Sequence, residues 1–410
     1  MFINNKARGK EMKNNILSLS QEAKKAKAND PNVINATIGM LFSETGKLYE
    51  FSSVSKVMEQ LSCEEKFAYS DTGASPKFSQ SIKKYLFSSF LEEIEKENIL
   101  SVMPTTGGSG ALSLLFENYI ESGSSVLLPN HMWEVYLVYA KERGINAETY
   151  SLFKNGHFDM DSLKLKVDFL KQKQDKIVML INDPCENPTG FCMEDSDYQE
   201  LINLAENNPS TNFIYVIDMA YFDFYNADDK VIRSRYSMLK NLPENAMAFF
   251  CFSGSKSFGL YGLRIGALVQ MTKSQEEAMM FLKSSVFSAR ARWSSASTLG
   301  MSIIEKLVLE DDLYQNFKDE VKNVCLMLER RSKAFIQSAK EVDLEYYPYE
   351  KGFFICIPCE NPNKLMNELH QDKVYTIATK SAVRIALCAI NEQEAKILPK
   401  IIKGRMLLID

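Results

Sequence analysis

The sequence predicts an α/β fold, with a large domain on a mainly parallel sheet and a smaller α+β domain. Three observations carry this. The chain has 410 residues, more than one hydrophobic core usually supports, so two or three domains are expected. Five short apolar runs, at 98–103, 124–128, 176–181, 213–218 and 246–252, read as buried parallel strands. At or just beyond the end of each stands a residue suited to ligand chemistry: Gly108, Trp133, Asn187, Asp218 and Lys256. Open parallel sheets bind ligands at the carboxyl ends of their strands, and five unrelated features would rarely line up that way. Finally, a charged amphipathic stretch over 310–340 reads as a long helix, and strand-like runs follow near 352–357 and 382–387.

Composition excludes several classes. With 45% hydrophobic and 25% charged residues and a net charge of −5, the chain is an ordinary globular protein. It lacks the basic surface that nucleic acid or an anionic membrane requires. No run approaches the roughly 18 apolar residues of a membrane span, and the basic N-terminus has no apolar core behind it, so a cytoplasmic protein is expected. The eight cysteines are scattered, several in apolar runs, as reduced core thiols would be. The single C-x-x-C, Cys356 and Cys359, has no second pair or histidine cluster, so no metal site is expected.

In chain order, 11–29 reads as a short amphipathic helix with Ile16, Leu17 and Leu19, and 33–39 as a strand ending in Gly39, by itself an ordinary turn glycine. Tyr69 precedes a loop through Pro76 that breaks before another helix, and by itself a lone tyrosine there reads more often as core. After the 98–103 strand, Thr105 to Gly110 opens a helix with an apolar face of Leu112, Leu115, Phe116 and Tyr119. Strand, glycine turn and helix N-terminus make an anion site, for a phosphate or a dinucleotide. Trp133 suits either stacking on a flat ring or packing. Asn187 lies in a rigid Asn-Pro-Thr-Gly turn and can donate its amide to a ligand oxygen. Asp218 closes so apolar a run that it needs a partner, for which a ring nitrogen would serve. Beyond Gly266 a helical pattern runs to 288–294, and Arg384, inside an apolar run, needs an anion, either a structural carboxylate or a substrate's.

The segment that organises the chain is CFSGSKSFGLYGLRIG, Cys251 to Gly266. It sets Lys256 after a buried strand, among Ser253, Ser255 and Ser257, with Arg264 eight residues on. Burial lowers a lysine's pKa toward a neutral amine able to form a Schiff base, although an isolated lysine in such a loop is more often a surface residue. The string S-x-S-K-x-F-G-L-Y with its following arginine resembles the cofactor-lysine segment of class I pyridoxal-phosphate-dependent aminotransferases, the aspartate and aromatic amino-acid enzymes. The Asn-Pro-Thr-Gly turn, Asp218 and their spacings of 31 and 38 residues agree with it.

That resemblance implies fold type I, with 46–309 as the large cofactor domain and 1–45 and 310–410 as the small one. It implies a homodimer with shared active sites, acting on an amino acid of aspartate or aromatic type and a 2-oxo acid such as 2-oxoglutarate. Lys256 would hold pyridoxal 5'-phosphate and shuttle protons, Asp218 would keep the ring nitrogen protonated, and Trp133 would pack the ring. Asn187 and Tyr221 would share the phenolate oxygen; Gly108, Ser109, Ser253, Arg264 and the other subunit's equivalent of Tyr69 would hold the phosphate. Gly39 and Arg384 would meet the substrate. Arg290 matches an arginine that binds a distal carboxylate from the neighbouring subunit, but Arg292 stands nearby and Ser295-Ala296-Ser297 replaces the family's N-P-P, so the alternatives are that either arginine faces the ligand or that neither does and both are solvated surface residues. Two rivals share this reading: a carbon–sulfur β-lyase or aminocyclopropane-carboxylate-synthase-like enzyme of the same fold, and a cofactor-sensing regulator, for which the N-terminal segment is too short to hold a DNA-binding domain.

Overall fold

The computed structural model describes residues 2–4, 7–8, 10 and 16–409. The chain divides into two compact units: a larger one, Leu48–Arg330 with Pro348–Phe353, and a smaller one, Met1–Lys47 with Arg331–Tyr347 and Phe354–Asp410.

The larger unit is built on seven strands: β1 (Ile99–Thr105), β2 (Ser125–Pro129), β3 (Asn146–Tyr150), β4 (Lys176–Asn182), β5 (Asn212–Asp218), β6 (Ala246–Ser253) and β7 (Gly266–Thr272). Their spatial order is β1-β7-β6-β5-β4-β2-β3. Only β7 is antiparallel to its neighbours, β6 and β1. The others therefore all point one way, and the ends at Thr105, Pro129, Asn182, Asp218 and Ser253 lie along one edge of the sheet. Five of these strands fall within a residue or two of the predicted apolar runs, because a strand covered on both faces must be apolar throughout.

The segment after Gly266 corrects the sequence reading. Instead of continuing in a helical pattern, it first forms β7, and only then the helix Gln275–Arg292. Ala267, Leu268, Gln270 and Met271 are good helix formers, but the segment is buried along its whole length and pairs on both sides, so its backbone groups are satisfied by the ladder. Strand β3 was also unforeseen. At the sheet edge it buries only Tyr150 fully, leaving too weak an apolar pattern to read.

One core cluster lies between sheet and helices. Leu112, Leu115 and Phe116 of helix α1 (Gly107–Tyr119) and Tyr136 of α2 (Val135–Arg143) pack with Val178, Leu180, Val216 and Phe249 of the strands and Phe281 of α3 (Gln275–Arg292). The predicted long helix spans Asp311–Glu341, with Phe317, Val324, Leu328 and Phe335 buried on one face.

The smaller unit carries an antiparallel sheet of Phe354–Pro358, Ala382–Ala386 and Ile377–Ala378. The expected strand over 33–39 shrinks to Ile34–Asn35, paired with Val374–Tyr375. Ala36 instead splits its bonds, donating to the Tyr375 carbonyl and accepting from the Ala386 amide, which breaks the ladder. The N-terminal helix is seen over Ile16–Asn29; positions 11–15 of its expected span lie outside the described residues.

Candidate functional site

The β1–α1 turn requires glycine. Gly107 sits at φ +76°, and a Cβ there would lie 2.7 Å from Nη2 of Arg264. Gly108 packs on Ser253, where a Cβ would come within 3.2 Å of the serine's own. Arg264 is held by donating from Nη1 to Ser255 Oγ (2.8 Å) and to the Tyr261 carbonyl (3.1 Å). A helix N-terminus, Ser109 beside it, two serines and a guanidinium thus share one corner, a donor set that suits a phosphate.

At the next strand ends a chain of contacts runs through Trp133, Asp218, Asn187, Tyr221 and Lys256. Tyr136 donates its hydroxyl to Asp218 Oδ2 (2.6 Å), and the Ala220 amide donates to Oδ1 (3.2 Å). The Trp133 ring, half-buried, meets the Tyr136 ring edge-on with centroids 5.6 Å apart. Asn182 ties β4 to β5: its Nδ2 donates to the Asp218 carbonyl (2.7 Å), while its Oδ1 accepts from the Asn187 amide (2.8 Å). Asn187 Nδ2 in turn donates to the Tyr221 hydroxyl (3.4 Å). Lys256, half-buried in the short turn of helix Gly254–Ser257, places Nζ 5.8 Å from the Tyr221 ring centroid and 5.0 Å from that of Tyr261.

Burial pushes the Asp218 carboxyl up to about 6, against the Tyr136 hydroxyl and the Ala220 amide, which favour its charged form. Burial and the adjacent Asp218 carry the Tyr136 phenol well above its ordinary value, so it stays a donor. Sequence reasoning missed Tyr136 and Asn182. The signal for Tyr136 was present: a polar-tipped aromatic three residues after Trp133, on the apolar face of a helix. Nothing in the sequence set Asn182 apart from any polar residue at a strand end.

The other predicted residues have the following local settings. Tyr69 is 97% exposed. Arg290 is exposed and donates to Ser294 Oγ (2.6 Å), whereas Arg292 pairs with Glu117 (2.6 Å). Gly39 and Arg384 belong to the smaller unit. There Arg384 is buried over the Phe354 ring and donates from Nη2 to the Thr37 carbonyl (2.6 Å), two residues before Gly39.

The family described as "Aminotransferase class I and II" matches residues 31–402. The chain belongs to that family. Members depend on pyridoxal phosphate, and this aminotransferase has the family's fold type I architecture. It is 23% identical to an aspartate aminotransferase of Pseudomonas aeruginosa over 389 residues, 91% of this chain and 92% of that one. Its backbone is similar to the crystal structure of an aminotransferase from Anaerococcus prevotii, with a TM-score of 0.94, 26% identity and 99% of each chain covered. An aromatic-amino-acid aminotransferase from Burkholderia pseudomallei, covalently bound to pyridoxal phosphate, shares the fold at a TM-score of 0.79 and 18% identity, over 98% of this chain and 100% of that one.

The residues present fit that cofactor. The corner at Gly107 matches a phosphate, Asp218 offers a carboxylate whose acting partners are neutral, the Asn187–Tyr221 pair offers two donors side by side, and Lys256 brings an amine.

Proposed function

We propose that this aminotransferase moves an amino group between an amino acid of aspartate or aromatic type and a 2-oxo acid such as 2-oxoglutarate, with pyridoxal phosphate held at Lys256 in the segment 46–309. The observation that carries this reading is Asp218: a buried carboxylate at a strand end, with a tyrosine and one amide as its acting partners. A charge so placed is costly without a cation, and a protonated ring nitrogen is one.

When bound, the cofactor supplies an electron sink for the bond broken at the substrate Cα. Asp218 holds the proton on the ring nitrogen by accepting its hydrogen bond. The Lys256 amine takes the proton from Cα and returns it on the product side, acting as base and then acid. Gly108, Ser109, Ser253 and Arg264 fix the phosphate, Asn187 and Tyr221 the phenolate oxygen, and Trp133 the ring face, so the reacting atoms stay aligned. Arg384 orients the substrate α-carboxylate, with Gly39 beside it in sequence to Thr37.

A homodimer is part of the proposal, with Tyr69 serving the partner's site. It is supported by exposed Phe67, Tyr69, Val286 and Phe287 on neighbouring segments, a Cβ at Gly73 coming within 3.6 Å of Val286. Among the described residues the cysteines form no disulfide, which suits a reducing compartment such as the cytoplasm. Among the described residues no helix is long and apolar enough to cross a membrane.

Lys256→Ala should abolish transamination and the borohydride-reducible link between cofactor and protein; a reduced adduct mapped to another lysine overturns the reading. For substrate choice, Arg290→Ala should lower kcat/KM for aspartate, glutamate and 2-oxoglutarate by at least about tenfold and far less for phenylalanine and tyrosine. No loss would leave Arg292, or remove dicarboxylates from the substrates.

A further inference from the structure

We propose that Tyr136 is a positioning residue for the reaction: its hydroxyl keeps Asp218 ionised and aimed, so that the cofactor's ring proton stays on nitrogen and not on the carboxylate. The inference rests on the cofactor reading above and concerns how this chain adapts it. Tyr136 and Asp218 are 1% and 5% exposed, and their 2.6 Å contact is a charge-assisted hydrogen bond in a dry setting.

The surroundings leave this task to Tyr136. Tyr139, on the same helix, sends its hydroxyl to the Ser109 carbonyl (3.2 Å). Cys251, the partner of Asp218 across β6, is a buried thiol whose pKa is raised by burial and by Asp218 itself, so it stays neutral. The Ala220 amide serves the other carboxylate oxygen. Glu186, in the loop before Asn187, acts on Tyr136 as a further negative charge and helps keep its phenol a donor. Burial disfavours the ionised Asp218 carboxylate. Against it, Tyr136 is the side-chain donor that holds the charge on Asp218.

The geometry explains why the residue is a tyrosine. Its ring fills the core cluster and braces Trp133, while the hydroxyl reaches the carboxylate; phenylalanine would keep the first role and lose the second. Without the hydroxyl, Asp218 becomes more basic and takes the ring proton. With the cofactor bound, the ring would then lack its positive charge, and the pH at which its visible band changes would rise.

The test uses the holoenzyme and follows the pH at which the cofactor's visible band changes. In Tyr136→Phe this midpoint should move up by about one unit, kcat should fall about tenfold with KM little changed, and pyridoxal phosphate affinity, measured by titrating the cofactor-free protein, should stay within about threefold because the phosphate contacts remain. In an Asp218→Asn background the same substitution should move the midpoint no further. An unchanged midpoint in a folded, cofactor-loaded Tyr136→Phe overturns the inference and leaves the cofactor reading standing. Failure of the wild-type protein to take up pyridoxal phosphate overturns both. Should Tyr136→Phe not fold, 3-fluorotyrosine at position 136 alone keeps the shape and makes the hydroxyl a stronger donor; the midpoint should then move down, and no movement counts against the proposal.

Discussion

Asp183 and Asp218 lie at the ends of adjacent strands, are both buried, and are both pushed up to about 6 by that burial, yet their settings differ. Asp183 accepts from the Met193 amide (2.7 Å) and the Tyr198 hydroxyl (2.9 Å), and the Arg235 guanidinium lends it positive charge. Its role is complete within the protein, where it ties the loop after β4 to the helix Asp195–Glu206. Asp218 has two neutral donors and no such cation among the groups that set its charge. A perturbed carboxylate therefore marks burial first; the identity of its partners separates a structural clasp from a socket for a ligand.

The contrast is broken most directly by turnover. Asp218→Ala should cost at least about a thousandfold in kcat, because the lost interaction acts on the transition state, while some cofactor is retained through the phosphate contacts. Asp183→Ala should cost less than about tenfold at a temperature where it stays folded. Equal losses would show that both carboxylates serve the chemistry.

Stability should rank them the other way. Removing Asp183 leaves a buried amide and a buried hydroxyl without acceptors, at about 1–3 kcal/mol each, so Asp183→Ala should destabilise the cofactor-free protein by about 2–6 kcal/mol in urea denaturation. Asp218→Asn should be neutral or stabilising at pH 8 in the same assay; a loss as large as that at Asp183 would end the distinction.

The smallest effect is the pH slope. A carboxylate raised in the folded state leaves that state with more bound protons than the unfolded chain between the ordinary value of 3.8 and about 6. Its contribution is fully present below that window and is lost as pH rises through it, by up to about 3 kcal/mol for a two-unit shift. The share of the cofactor-free protein's stability that Asp218 supplies should thus fall as pH climbs from 4 to about 7. Asp218→Asn should remove that residue's share of the slope, with the two proteins equal at pH 4. Identical slopes would mean that Asp218 is not held protonated by burial.

Much of the site was legible because it lies on strands whose apolar character is continuous. The run Phe213 to Ile217 must be buried, so the Asp218 that follows must be paired, and the chain order alone sets Asn187, Asp218 and Lys256 at successive strand ends. The Gly107 turn was equally local, since few residues other than glycine tolerate its backbone.

Partnerships across elements were not legible. That Tyr136 reaches Asp218, 82 residues away, depends on how α2 packs on the sheet, and that Asn182 bridges two strands depends on their register. Tertiary structure also overrode local preference at β7, where helix-forming residues became a strand because both flanking strands offered hydrogen bonds. By itself the sequence determined where apolar segments end and which chemistry stands there. Only packing decided which side chains meet at those ends, because a hydrogen bond between distant residues leaves no periodicity in the chain that carries them.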